Sequence, residues 1–373
     1  MTLTKVNVLN LNELEPLAEK AMEKLNFHYY QGGACDEITL RRNMSAYRQI
    51  ELLPRMLVDV SKRELATELF GTTIGMPIII APMAFQALAH KDGELAMARA
   101  AKSHNTIMTL STLATCSLEE VSQTGNHLWY QLYVYKDREI TRELVRRAEA
   151  SGYQALVVTV DSPVLGRREK DIANHFHLPK GLKAANLEAF MLADIDPAED
   201  GSGLAAYIAS LYDTALTWAD LEWIVSLTSL PVLVKGIIRG DDACLAVDHG
   251  ARGIIVSNHG GRQLDTTIPT IAALPAVKAA LAARGMDRNQ YPILIDGGIR
   301  RGTDVLKALA MGAQAVLLGR PLLWGLALNG ETGAATVLDL IKDELDLALA
   351  LCGCPNVNEL SLDLLSFRHQ FKA

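Results

Sequence analysis

Eight times along this chain a short apolar run gives way to a helical or helix-permitting segment, and no other feature of the sequence restricts the fold as much. The runs are Ile78–Ala81, Thr106–Leu110, Leu128–Tyr133, Ala155–Val160, Val232–Lys235, Gly253–Val256, Ile293–Asp296 and Ala315–Leu318. Their length and β-branched content are those of buried strands. Helical patterns follow over Gly93–Ser103, Arg138–Ala150, Asp241–His249, Thr303–Met311 and Ala334–Leu351, and Ser117-Leu118-Glu119-Glu120 has the form of a capping box. Near-continuous apolar strands alternating with helices are parallel strands covered on their outer face. Eight such units predict an α/β fold of the (β/α)8 TIM-barrel type. The rival, a doubly wound open sheet, usually carries Gly-x-Gly-x-x-Gly after its first strand; Ala81-Pro82-Met83-Ala84 stands here instead.

Two segments lie outside the rhythm. Residues 11–26 read as one amphipathic helix, with Leu11, Leu14, Leu17, Ala18, Ala21, Met22 and Leu25 at helical spacing, and the paired glycines Gly32-Gly33 end that region. The interval after the fourth strand is too long for one crossover, so a loop excursion of about 162–217 is expected to cover the strand ends. Its middle, Asp194 to Gly203, is acidic and contains glycine, as a lid would. No composition shift divides the chain, which predicts a single barrel domain over 1–373.

Composition narrows the partners. With 49% hydrophobic and 21% charged residues the chain is ordinary globular protein, and a net charge of −7 argues against nucleic acid or anionic membrane as a partner. No apolar run is long enough to span a bilayer, and Met1-Thr2-Leu3-Thr4-Lys5 does not begin a secretory signal. The end Gln370-Phe371-Lys372-Ala373 is not a peroxisomal address of the Ser-Lys-Leu type. The five cysteines are few and odd in number, and Cys352-Gly353-Cys354 lacks a second pair with zinc-site spacing. The expectation is a reduced, cytoplasmic protein without a metal.

Function is read at the strand ends, because a barrel of this kind gathers them on one face. They carry Pro82, Met83 and Ala84; Ser111; Gln131 and Tyr133; Thr159 and Asp161; Lys235; Ser257 and His259; Asp296, Gly298 and Arg300; Gly319 and Arg320. Glycines in Ser257-Asn258-His259-Gly260-Gly261-Arg262 permit a tight turn that displays a His beside an Arg. Asp161 and His259 form a possible carboxylate–imidazole pair, and Arg168 and Arg262 can hold a carboxylate bidentately, with Arg167 as an exposed charge. Lys235 closes an apolar strand, where its cation could form a Schiff base or stabilise negative charge on a cofactor. Gly298, Arg300, Gly319 and Arg320, after strands seven and eight, look like a phosphate site. Adjacent tyrosines such as Tyr29-Tyr30 ordinarily pack, although a phenol at Tyr29 can also donate to an anion.

These residues resemble the FMN-dependent L-2-hydroxy acid oxidases, the family of glycolate and lactate oxidases. The likeness runs nearly end to end, from Tyr29-Tyr30-Gln31-Gly32-Gly33-Ala34 through Gln131-Leu132-Tyr133, Thr159-Val160-Asp161, Gly166-Arg167-Arg168 and Leu233-Val234-Lys235-Gly236. It continues through the His259 stretch, Asp296-Gly297-Gly298-Ile299-Arg300 and Gly319-Arg320-Pro321, and is poor over 178–212. The resemblance implies a (β/α)8 barrel, usually a homotetramer, that oxidises a 2-hydroxy acid with O2 to the 2-oxo acid and H2O2. It implies His259 as base, Asp161 as its partner, Tyr29, Arg168 and Arg262 on the substrate carboxylate, and Tyr133 on the substrate oxygen. Lys235 would stand by the flavin N1–C2 carbonyl and Arg300, Gly319 and Arg320 at the phosphate. Pro82, Met83, Ala84, Ser111, Gln131, Thr159, Ser257, Asp296 and Gly298 would line the rest of the FMN.

Two positions depart from the glycolate-oxidase pattern: Leu113 stands where Trp is usual and Met83 where Thr is usual. Leu113 leaves room beside the substrate's α-carbon that Trp would fill, and Met83 supplies flexible apolar contact there; together they predict L-lactate over glycolate, with Ile208 of the lid as a further candidate for specificity. Two other readings remain: a dehydrogenase of the same family with another electron acceptor, and a barrel that binds a phosphorylated ligand without turnover.

Overall fold

The computed structural model describes residues 7–190, 211–287 and 290–367. Eight strands close a barrel: β1 (Ile78–Ile80), β2 (Ile107–Ser111), β3 (His127–Leu132), β4 (Ala155–Thr159), β5 (Val232–Ile237), β6 (Gly253–Val256), β7 (Ile293–Ile295) and β8 (Ala315–Leu318). Each pairs in parallel with its sequence neighbours, and β8 pairs with β1 to complete the ring. The strands are buried on both faces because the two side-chain rows enter different cores. Ile79, Trp129, Val157, Leu233, Ile255 and Leu294 form an inner cluster, whereas Ile78, Tyr130, Val158, Val234, Ile254 and Ile295 join the outer core beneath the helices.

The N-terminal mouth of the barrel is plugged by a hairpin of Thr67–Leu69 and Thr72–Ile74. Leu69 and Ile74 complete the inner cluster, and the Phe70 ring lies 5.9 Å from that of Trp129. Functional groups are therefore left to the opposite end, where the strands exit. A second small pairing, Ile50–Leu52 against Leu365–Phe367, ties the two ends of the chain together.

The N-terminal segment differs from the single helix that the periodicity predicts. A helix over Leu14–Ala21 ends at Met22, whose backbone is extended, and a separate helix runs Lys24–Gln31. The apolar spacing continues across the break, so it gives no sign of the change in direction that carries Tyr29 and Tyr30 to the strand ends. At the C-terminus the helical span Arg320–Cys352 is broken into two helices at Asn329 and Gly330, and the expected helix Ala334–Leu351 lies in the second. The capping box at Ser117 and Glu120 forms as expected.

Of the excursion after β4, the described parts carry a short helix, Glu169–Ala173, and a 3-10 segment, Ala185–Phe190. Ile208 and the Asp194–Gly203 stretch lie outside the described residues. All five cysteines are free, and no helix among the described residues is long and apolar enough to cross a membrane.

Candidate active site

One cavity opens at the C-terminal ends of the strands, and every candidate site residue among the described residues lines it except Asp161 and Ser257, which stand directly behind the wall. Strand register sets the inner row. Ser111 lies opposite Gln131, and Thr159 opposite Lys235. Gln131 Nε2 donates to Thr159 Oγ1 at 3.0 Å and Gln131 Oε1 accepts from Ser111 Oγ at 3.2 Å, giving a fixed polar row along the floor.

His259 follows β6 in a left-handed turn, with φ of 58° before two further positive-φ residues, Gly260 and Gly261. A non-glycine residue in that region costs of order 1–3 kcal/mol and persists only where its surroundings enforce it. The enforcement comes from the helix Ile38–Tyr47. Asn43 and Asn258 exchange two amide hydrogen bonds of 2.8 Å, and Asp265 accepts from the backbone N–H groups of Ile38 and Thr39. Thus held, His259 places Nδ1 2.8 Å from Asp161 Oδ1 while the ring lines the cavity. Burial pulls the imidazole below its ordinary pKa and the Lys235 charge adds to this, against the opposing pull of Asp161. Asp161 sits below the usual carboxylate range despite the upward push of burial, because His259 and Lys235 stabilise its charge. The ring is therefore a neutral proton acceptor near neutrality, with a carboxylate ready to stabilise its cation.

Lys235 is buried. Its Nζ donates to Ser257 Oγ at 3.0 Å and stands 3.3 Å from Asp296 Oδ2. Burial alone would lower its pKa, but Asp296 and Asp161 more than offset this and keep it charged. Ser257 thus sits behind the ammonium rather than on the cavity surface, and its hydroxyl also accepts from the His259 N–H.

Three guanidinium groups supply a positive charge that the protein leaves largely unneutralised. Arg320 donates to the carbonyls of Tyr30, Gly260 and Gly32. Arg262 donates to those of Tyr29 and Gly32, and Arg300 to that of Ile299. None of these acceptors is charged. Burial and mutual repulsion bring Arg320 down to about 9 and, with Arg168 opposing it, Arg262 to about 10; burial also lowers Arg300. Buried cations bonded only to carbonyls and facing a cavity call for anionic ligands.

The glycines before Arg300 and Arg320 have different causes. At Gly298 (φ 86°) a Cβ would stand 2.1 Å from the Asn43 carbonyl oxygen, so packing against the helix Ile38–Tyr47 demands glycine there. At Gly319 a Cβ would meet nothing nearer than 3.8 Å, which leaves that backbone open towards the cavity.

At the other end of the cavity stand Tyr29, Tyr133, Arg168, Leu113 and Met83. Burial raises the pKa of both tyrosines, so their hydroxyls stay protonated donors. Arg168 Nη2 lies 3.3 Å from Gln263 Oε1, and the exposed Arg167 pairs with Glu169. Residues not singled out from the sequence complete this end. Tyr212 stacks on Tyr133 at 4.5 Å, Phe176 stacks on Tyr29 at 4.2 Å, and Leu165 borders the opening. Leu165 directly precedes Gly166-Arg167-Arg168 and could have been found by its position; nothing in the sequence marks Tyr212 or Phe176.

A barrel whose strand ends combine a paired imidazole, a buried ammonium and a largely unneutralised guanidinium corner has the donors that a flavin phosphate and a substrate carboxylate need, and the buried Asp296 Oδ1, without a hydrogen-bond partner among the described residues, adds an acceptor for a hydroxyl. Comparison with known proteins agrees. The model of the FMN-dependent dehydrogenase family matches residues 18–367. The chain is 52% identical to an L-lactate oxidase from Nostoc sp. over 96% of its length and 98% of the relative's. It is 50% identical to glycolate oxidase 3 of Arabidopsis thaliana, over 95% of each chain. Among solved structures, a mandelate oxidase with (S)-mandelic acid superposes with a TM-score of 0.86 at 39% identity, covering 96% of this chain and 98% of that one. An active chimera of (S)-mandelate dehydrogenase superposes with a TM-score of 0.88 at 40% identity, covering 97% and 100%. The chain belongs to the FMN-dependent dehydrogenase family, among its 2-hydroxy acid oxidases, and FMN is its cofactor.

Proposed function

We propose that this protein oxidises a small L-2-hydroxy acid, L-lactate in preference to glycolate, to the 2-oxo acid while O2 is reduced to H2O2. The observation that carries this reading is the His259–Asp161 pair, 2.8 Å apart, facing a cavity that Arg168 and Arg262 also line. Bound FMN supplies the two-electron acceptor. Arg300, Gly319 and Arg320 would hold its phosphate, Lys235 its N1–C2 edge, and Pro82, Met83, Ala84, Ser111, Gln131, Thr159, Asp296 and Gly298 the remainder, with Ser257 acting only through Lys235 from behind the wall.

The protein's own work is to bind, orient and move one proton. Arg262, Arg168 and Tyr29 grip the substrate carboxylate, which leaves the 2-hydroxyl towards His259 and Tyr133. His259 takes the substrate proton, Asp161 stabilises the resulting imidazolium, and Tyr133 donates to the substrate oxygen. Leu113 leaves room for the lactate methyl and Met83 gives it flexible apolar contact. The preference for lactate rests on those two side chains alone, since lactate and glycolate oxidases are about equally similar to the chain. We further propose one barrel domain working as a cytoplasmic homotetramer.

The test is O2 uptake and H2O2 formation by the purified holoenzyme with L-lactate, glycolate and D-lactate. We expect uptake with a higher kcat/KM for L-lactate than for glycolate, and almost none with D-lactate. Flavin reduction by L-lactate without O2 uptake would instead assign a dehydrogenase with another acceptor.

A further inference from the structure

The short helix Glu169–Ala173 begins immediately after Arg168, and Phe176 follows three residues beyond its end. This segment is fastened to the N-terminal helix Lys24–Gln31 at three points. Lys170 Nζ donates to Gln31 Oε1 at 2.6 Å and stands 2.8 Å from Glu37 Oε1. Asn174 Nδ2 lies 2.9 Å from His28 Nδ1. The Phe176 ring is stacked on that of Tyr29, with an interplanar angle of 9°.

The Lys170 contact differs from the other exposed pairs nearby. Arg167 pairs with Glu169, two residues away, with both side chains exposed. Lys170 instead joins segments far apart in sequence, and its stem lies against Gly32: a Cβ on that glycine would meet Lys170 Cδ at 3.4 Å. Glu37 Oε1 also accepts from the Gly33 N–H at 2.9 Å. The Gly32 carbonyl in turn accepts from Arg262 Nη1 at 2.8 Å and from Arg320 Nη2 at 3.1 Å. One ammonium therefore braces the turn on which the carboxylate-gripping arginine hangs, and joins it to the segment bearing Arg168.

We propose that Lys170, with Glu37 and Gln31, forms a polar latch that fixes the geometry of the substrate-carboxylate grip formed by Tyr29, Arg168 and Arg262. This rests on the functional reading given above and adds to it a positioning residue. Lys170 does not line the cavity and makes no contact with the reacting atoms. With side chains 35% and 19% exposed, the Lys170–Glu37 pair is accessible enough to open and sheltered enough to contribute. Closed, it reduces the conformational freedom that the grip loses when a carboxylate binds.

The experiment uses the FMN-loaded enzyme and oxalate, a dicarboxylate probe that the enzyme cannot oxidise at a C–H bond, titrated by the change in flavin absorbance. Lys170→Met is expected to raise the oxalate Kd and the KM for the hydroxy acid together, by about 2–5-fold, as befits a partly exposed ion pair. The change in kcat should be smaller, and the affinity of the flavin for sulfite should be unchanged. Lys170→Arg should recover part of the loss, and Glu37→Gln combined with Lys170→Met should add little to either alone. An unchanged oxalate Kd in Lys170→Met, even with a lowered Tm, would overturn the latch, as would fully additive effects of the two substitutions. If the unaltered enzyme neither oxidises 2-hydroxy acids nor binds oxalate, the functional reading fails along with the latch. If it does both and Lys170→Met behaves identically, only the latch fails.

Discussion

On the proposed reading, His259 carries the chemistry and Leu113 is one of the two side chains on which the choice of substrate rests. A base works in its neutral form, and burial holds the His259 pKa below its ordinary value. The acid limb of the kcat/KM profile should therefore lie below the usual imidazole value, with activity lost as pH falls through it. Asp161 pulls that pKa upwards, so Asp161→Asn should move the limb to still lower pH while reducing the plateau rate by about 10²–10⁴-fold. A limb that moved upwards in the variant would reject His259 as the titrating base. Leu113 decides a different question. Its side chain borders the cavity and its carbonyl accepts from the Phe85 N–H, so the backbone there is fixed and a change of side chain changes the local width. One methyl in an apolar pocket is worth about 1–3 kcal/mol, or roughly 10–200-fold. Leu113→Trp should lower the lactate-to-glycolate ratio of kcat/KM within that range, and an unchanged ratio would place specificity elsewhere.

At the scale of elements, the loop after β6 depends on a helix more than 200 residues away in sequence. The paired amides of Asn43 and Asn258 are both buried, and deleting Asn43 takes both 2.8 Å bonds from Asn258, which keeps only its longer contacts with the Ile268 carbonyl and the Gly261 N–H. An unsatisfied buried polar group costs about 1–3 kcal/mol. Asn43→Ala should therefore lower Tm by several degrees and also slow substrate oxidation, because His259 loses the support that holds it in a left-handed conformation. Gly261→Ala is a sharper test of the same packing. A Cβ there, at φ 75°, would stand 2.7 Å from the Leu40 backbone, so thermal melting should show a larger loss than for Asn43→Ala. This dependence also shows what could be read beforehand. The eight strands were legible because each is a buried apolar run with a polar or glycine exit, and the strand ends then placed His259, Lys235 and Arg320 together. Asn43 was not legible, since an Asn on a helix looks the same whether it faces water or braces an active-site loop. Nor was the break at Met22, because the apolar period passes through it unaltered.

Taken as a whole, the barrel separates stability from chemistry along its axis. One end is closed by the hairpin bearing Leu69, Phe70 and Ile74, in contact with the inner cluster; the other opens into the cavity with its buried cations. In barrels of this type the first end serves stability and the second function, so substitutions at the two ends should leave opposite signatures. Ile74 is fully buried and belongs to the plug, and truncating a buried isoleucine to alanine costs about 2–5 kcal/mol. Ile74→Ala should therefore lower Tm markedly while kcat, KM and the lactate-to-glycolate ratio stay close to those of the unaltered enzyme at temperatures well below the transition. Arg262→Met should do the reverse. The guanidinium lines the cavity, where burial and Arg168 both oppose its charge; removing it loses its bonds to the Tyr29, Tyr30 and Gly32 carbonyls and, on the proposed reading, the charge-assisted grip on substrate. Its Tm should fall less than that of Ile74→Ala as the KM for the hydroxy acid increases and flavin reduction slows. Paired melting curves and anaerobic stopped-flow traces for the two variants would decide it. If Ile74→Ala altered the reduction rate as much as Arg262→Met did, the two ends would be coupled through the barrel's inner cluster rather than divided by it.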